Sequence, residues 1–211
     1  MHRSVTRTFQ CQYRLWAPAG YKAGTRRRYP LVLFLHGAGE RGKDISLVLK
    51  HGPPRQAAEG RRFPFFLLAP QCPEHRAWQP CVLSALLDEV TEAWPIDSAR
   101  IYVTGISMGG LGTWSLANAF PERFAAIAPV CGPFIWIQPE RFKKLPVWCF
   151  HGAMDEAVPL QDSIRIVKML RSHGVAVRFT VYPDANHDAW TPTFNNPAFC
   201  KWLLSKRRRA R

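Results

Sequence analysis

A serine hydroxyl is a poor nucleophile until a base can take its proton. One serine in this chain stands in a setting suited to that chemistry. The run Gly105-Ile106-Ser107-Met108-Gly109 follows an apolar stretch and precedes a helical pattern. A serine on such a tight strand-to-helix turn has its hydroxyl exposed above the sheet. The turn brings neighbouring backbone close, so the positions two before and two after the serine must be small. Gly105 and Gly109 meet that need, and the helix N-terminus beyond favours developing negative charge.

The base must be one of seven histidines. With a nucleophile on this kind of turn, the acid and then the base follow it along the chain, which leaves His151, His173 and His187. His151 ends an apolar run ahead of the acid candidates, and His173 sits at the end of a helical pattern. His187 lies in YPDANHDAW, residues 182–190, directly after the last strand-like run. Catalytic groups gather at that edge of an open α/β sheet, so His187 is the expected base. The acid should lie on the loop after the preceding strand, in HGAMDEAVP at 151–159. Asp155 is the first acid there, with its neighbour Glu156 as rival. Asp162 reads as a solvated first-turn acid, and Asp184 and Asp188 as turn residues beside the base.

A tetrahedral intermediate needs two donors for its oxyanion. The N–H of Met108 is one. The other is expected from the loop LHGAGERG at 35–42, where glycines let backbone approach a substrate. Ala38 is the first choice and Gly39 the second. His36 is expected to pack beneath this loop. Glu40 and Arg41 form a local ion pair, or one of them reaches the substrate. Trp78, Phe134, Trp136 and Trp190 are candidates to line an acyl or aryl pocket.

Groups so far apart in sequence must be brought together by a framework. Continuous apolar runs at 29–35, 64–69, 100–104, 124–130, 147–150 and 177–182 read as buried strands, and an alternating run at 9–16 as a further strand. Apolar residues at helical spacing mark helices over 82–94 and 160–172, and a short helix closes the chain at 197–205. Strands alternating with helices predict an α/β fold: a mostly parallel central sheet with helices on both faces. Residues 131–145 are too few for a cap domain, and an ordered loop or short helix is expected there.

The 211 residues suit one catalytic domain over 1–211, and 47% hydrophobic with 21% charged residues describes a globular chain. The net charge is +14, with basic clusters at 26–28, 61–62 and 206–211. The clusters are short and carry no nucleic-acid motif, so no specific nucleic-acid partner is expected, and the last cluster reads as a solvated tail. No apolar run reaches the roughly 20 residues that span a bilayer. The N-terminal stretch lacks a signal-peptide pattern, so a cytoplasmic location and no membrane partner are expected. The six cysteines, Cys11, Cys72, Cys81, Cys131, Cys149 and Cys200, form no CxxC pair and read as buried or half-buried thiols. Cys72-Pro-Glu-His75 has no second ligand pair for a metal. Neither metal nor cofactor is expected.

Several stretches in order carry a resemblance: LHGAGERGKD (35–44), HGPP (51–54), PQCP (70–73), RIYVTGISMGGLG (100–112), PERFAAIA (121–128), HGAMDEAVP (151–159) and YPDANHDAW (182–190). Together they resemble the small esterase and predicted-peptidase branch of the α/β-hydrolases, related to the phospholipase/carboxylesterase and dienelactone-hydrolase groups. The resemblance implies an α/β-hydrolase fold, with nucleophile, acid and base at Ser107, Asp155 and His187. It also implies a small-molecule ester as substrate, cleaved through an acyl-enzyme. Peptidase or thioesterase activity on the same triad is the alternative. A non-catalytic basic binding protein on this scaffold is another.

Overall fold

Seven strands form one sheet in the order β1-β3-β2-β4-β5-β6-β7 in the computed structural model, which describes residues 8–208. They are β1 (Tyr13–Trp16), β2 (Tyr29–Leu35), β3 (Phe66–Pro70), β4 (Ile96–Ile106), β5 (Ala126–Val130), β6 (Val147–Gly152) and β7 (Val177–Tyr182). β1 runs antiparallel to β3, and all other pairs are parallel. The expected strand over 9–16 is paired only in its second half. Of the basic N-terminal stretch, residues 1–7 lie outside the described residues.

β2, β3 and β5 are buried at every position, as strands covered on both faces must be. Successive side chains point to opposite faces, which divides the core in two. Leu31, Leu33, Leu35, Val103 and Ile127 pack against α2 (Pro80–Ala93), α3 (Met108–Ala119) and α4 (Leu160–Ser172). Val32, Phe34, Tyr102, Ala128 and Phe150 pack on the other face against α5 (Trp190–Asn195) and α6 (Pro197–Leu204), with Ala57 of α1 (Gly52–Ala58) beside them. This is the mostly parallel, doubly covered sheet of the α/β-hydrolase fold.

Two expectations about the chain's periphery need correction. Lys206–Arg208 do not float in solvent. Tyr102 donates to the Lys206 carbonyl (2.7 Å), Arg208 N–H donates to Ala99 O (2.8 Å), and Arg207 pairs with Asp97 (2.8 Å). Polar groups at the start of β4 give the run its partners. The last three residues of the cluster, 209–211, lie outside the described residues. Asp162 is not merely solvated either: its carboxylate accepts the Phe134 N–H at 3.0 Å. That bond pins the 131–145 segment to α4, and Arg141 holds it to the end of α3 through the Ala119 carbonyl. The segment contains a single 3-10 turn, Pro139–Phe142, and among the described residues no cap covers the carboxyl edge of the sheet.

Candidate active site

Ser107 lies between the end of β4 and the start of α3 with φ 53° and ψ −117°, a conformation that costs a non-glycine residue free energy. Contacts on every side impose it. Ser107 N–H donates to Val130 O (3.0 Å). A Cβ on Gly109 would collide with the Leu35 carbonyl, and one on Gly105 with the Gly109 carbonyl. Both glycines are therefore required by close backbone approach, as the spacing around the serine predicts. On Gly110, a Cβ would lie 2.6 Å from Val130 O, so α3 can rest this near β5 only because this position carries no side chain.

β6 and β7 deliver the other two groups. His187 Nε2 is 3.0 Å from Ser107 Oγ, and His187 Nδ1 is 2.7 Å from Asp155 Oδ2. An ionised carboxylate only accepts hydrogen bonds, so Nδ1 carries the hydrogen and Nε2 is the free acceptor facing the serine hydroxyl. Asp155 is held in turn: its Oδ1 accepts the N–H groups of Ala157 (3.0 Å) and Val158 (2.8 Å). Its side chain is fully buried, whereas Glu156 is exposed. The structure thus brings Ser107, His187 and Asp155 into one hydrogen-bonded line and leaves Glu156 outside it.

The other histidines have separate places. His151 is buried between Ser163 Oγ (2.7 Å) and Val158 O (2.9 Å). Burial lowers its pKa, with the Val158 carbonyl opposing, so a neutral ring stands 3.3 Å from Asp155 Oδ2. His173 caps the exposed end of α4. Asp188 accepts from Thr191 N–H at 2.9 Å, a turn role as expected.

Met108 opens α3 and Ala38 opens the 3-10 turn Ala38–Glu40. The first amides of a helix have no carbonyl partner within it. Gly37, next to Ala38, lies against the nucleophile: a Cβ there would sit 3.6 Å from the Ser107 Cβ. The loop is anchored from below. His36 is buried; its Nδ1 is 2.7 Å from Gly37 O, and its Nε2 accepts the Cys72 N–H at 3.0 Å. Desolvation lowers the His36 pKa to about 4. Trp78 Nε1 donates to His36 O (3.1 Å) and Gln71 Nε2 to Glu40 O (2.6 Å). His36 is the packed residue that the loop sequence suggested.

No Glu40–Arg41 ion pair forms. Glu40 turns inward and accepts the Gly37 N–H at 3.0 Å, while Arg41 Nε turns outward and donates to Ala38 O at 3.0 Å. The short turn points the two neighbours to opposite sides. Of the four aromatic candidates, Trp78 is a buried brace of the loop, and Trp136 is 78% exposed and packs edge-on to Phe134. Trp190 alone stacks edge-on to His187, with ring centres 5.2 Å apart.

Cys131 Sγ donates to His187 O (3.4 Å). With Asp155 and His187 it forms the one group of three ligand-type side chains that cluster within 4.8 Å among the described residues. Burial raises the Cys131 thiol far above its ordinary range, and His187 Nδ1 is already engaged by Asp155, so the cluster fits a packed hydrogen-bonded site better than a metal centre. The described cysteines are free, and Cys11, Cys72, Cys131, Cys149 and Cys200 are buried or half-buried as expected, whereas Cys81 is exposed, against that expectation.

The model of the Dienelactone hydrolase family matches residues 78–196, more than half of the chain and a span that includes all three residues of the line. A thermostable esterase crystal structure superposes with a TM-score of 0.79 at 35% identity, covering 94% of this chain and 60% of that one. Over 89 residues the chain is 28% identical to the bifunctional acetylxylan esterase/xylanase XynS20E of Neocallimastix patriciarum, 42% of this chain and 13% of that protein. Over 68 residues it is 38% identical to the S-formylglutathione hydrolase of Paracoccus denitrificans, 31% of this chain and 24% of that protein. The chain spans less than two thirds of the length of each.

Proposed function

The chain belongs to the dienelactone hydrolase family, and from that premise we propose that it is a serine carboxylic ester hydrolase acting on short-chain or aryl esters. The observation that carries this reading is the line Ser107 Oγ, His187 Nε2, His187 Nδ1, Asp155 Oδ2, with links of 3.0 and 2.7 Å. In the first step Ser107 Oγ attacks the ester carbonyl carbon while its proton passes to His187 Nε2. The carbonyl oxygen becomes an oxyanion facing the amides of Met108 and Ala38. Asp155 holds the imidazolium that forms. The intermediate then collapses, His187 gives its proton to the departing alcohol oxygen, and an acyl-enzyme remains on Ser107. Water repeats the sequence with His187 as base and releases the acid.

A fluorophosphonate probe tests the assignment. It should label Ser107, and Ser107→Ala should lose both labelling and turnover, the latter by roughly a thousandfold or more. Labelling of a different serine, or full turnover in the variant, would overturn it.

A further inference from the structure

Among the described residues only two carboxylates are buried, Asp155 and Glu40, and the ester-cleaving steps use only the first. A buried carboxylate is costly unless it is hydrogen-bonded and its charge is compensated. The partners of Glu40 are specific. Oε2 accepts the Gly37 N–H at 3.0 Å, at the head of the loop that presents Ala38. Oε1 lies 3.6 Å from His51 Nε2. His51 is the residue just before α1, and its ring is 5.3 Å from that of Trp190, which in turn stands edge-on to His187. Glu40 thus sits at one end of a contact chain that joins the loop beside Ser107 to the loop that carries the base. Because its carboxylate takes the Gly37 amide, the next amides along, Ala38 and Gly39, are the ones left to face a substrate oxygen.

We propose that Glu40 is a positioning residue: its carboxylate, steadied by His51, fixes the Gly37–Ala38 backbone so that the Ala38 amide meets the oxyanion. This rests on the Ser107 acyl-enzyme reading. Displacing such a donor by a fraction of an ångström weakens only the interaction made by the tetrahedral species. Glu40→Gln keeps an oxygen that can accept from Gly37 but no charge for His51. Glu40→Ala keeps neither.

The experiment measures p-nitrophenyl butyrate hydrolysis, affinity for a trifluoromethyl ketone that forms a hemiketal with the nucleophile, and thermal stability. The proteins compared are the wild type, both Glu40 variants and Glu59→Gln, which removes an exposed carboxylate on the far end of α1. The expected result is a fall in kcat of about 10- to 100-fold for Glu40→Ala with KM changed by less than about threefold. Ketone affinity should fall in parallel, Glu40→Gln should recover most of both, and Glu59→Gln should match the wild type. Wild-type kcat and ketone affinity in Glu40→Ala would overturn the proposal, as would a loss of kcat with ketone affinity intact. If Glu40→Ala does not fold, Glu40→Leu carries the test, because it fills much of the same space but cannot accept the Gly37 N–H; the same parallel losses are expected and their absence is decisive. Fluorophosphonate labelling of the wild type separates the two levels. Without labelling at Ser107 the acyl-enzyme reading fails, and with labelling but indifferent Glu40 variants only the role of Glu40 fails.

Discussion

The two oxygens of Asp155 have separate partners, Oδ1 the backbone of the following turn and Oδ2 the ring of His187. An asparagine at this position could still accept from the turn. Its NH2 would then face His187 Nδ1, forcing the hydrogen to Nε2, where it blocks proton transfer from Ser107. Asp155→Asn should therefore keep the fold but lower kcat/KM by several orders of magnitude, on the order of 10⁴. Glu156→Gln should cost little, since that side chain is exposed. Kinetics with circular dichroism on both variants would decide; the reverse ranking would move the role to Glu156. At this scale the sequence was informative about Ser107 and His187, because a glycine-flanked turn and chain order each limit the options. It could not orient Glu40, whose direction depends on Gly37 and on His51, a residue from a separate stretch of chain.

The loop after β2 is an element with no regular pattern, yet it is among the most fully anchored. His36 lies under it as an uncharged ring, with its pKa lowered from 6.5 to about 4 by desolvation. A depressed histidine pKa means that the unfolded chain takes up the proton first as pH falls. Stability from this group is complete above about pH 6.5 and declines as pH drops toward 4, by up to roughly 3 kcal/mol. His151, lowered for the same reason, acts in the same direction. Urea unfolding at pH 7 and pH 4.5 should show this loss, and His36→Gln should flatten the pH slope even if it lowers stability throughout. An unchanged slope would show that His36 is not the source. The long apolar runs foretold β2 closely and the extent of β7. Yet β7 is not the buried strand expected: it lies at the edge of the sheet with Arg178 and Val181 exposed. The helices α1 and α5 went unread. α1 opens on Gly52-Pro53-Pro54 and α5 carries Pro192 in its first turn. These residues suggest a break, although proline fits a first helical turn, where its missing N–H has no partner to lose.

At the scale of the whole molecule, no cap covers the carboxyl edge of the sheet among the described residues, and the net charge is +14. The 131–145 segment is tied down to α3 and α4. Each buried methylene is worth about 0.8 kcal/mol, so longer acyl chains help only while protein covers them. On p-nitrophenyl esters, kcat/KM should peak at roughly two to six acyl carbons. No jump should appear as substrate passes its solubility limit, with about 0.5 M salt present to screen attraction to anionic micelles. A maximum near palmitoyl esters, or a salt-resistant jump, would contradict the short-ester reading. The sheet and its two helical layers could be read from alternation alone. The seating of Arg207 on Asp97 could not, because a run of like charges gives no hint of a single acid waiting in a distant strand.

The φ of 53° at Ser107 has a consequence for how the protein could be evolved in the laboratory. Glycine adopts that conformation without steric penalty, and alanine does not. Ser107→Gly and Ser107→Ala should both be inactive, yet the glycine variant should melt higher. A difference of about 1 kcal/mol would raise its Tm over the alanine variant by about 2–4 °C; equal melting temperatures would show that the position costs the fold nothing. A library sorted for heat resistance alone would then drift toward glycine at 107, and one sorted for turnover would return to serine.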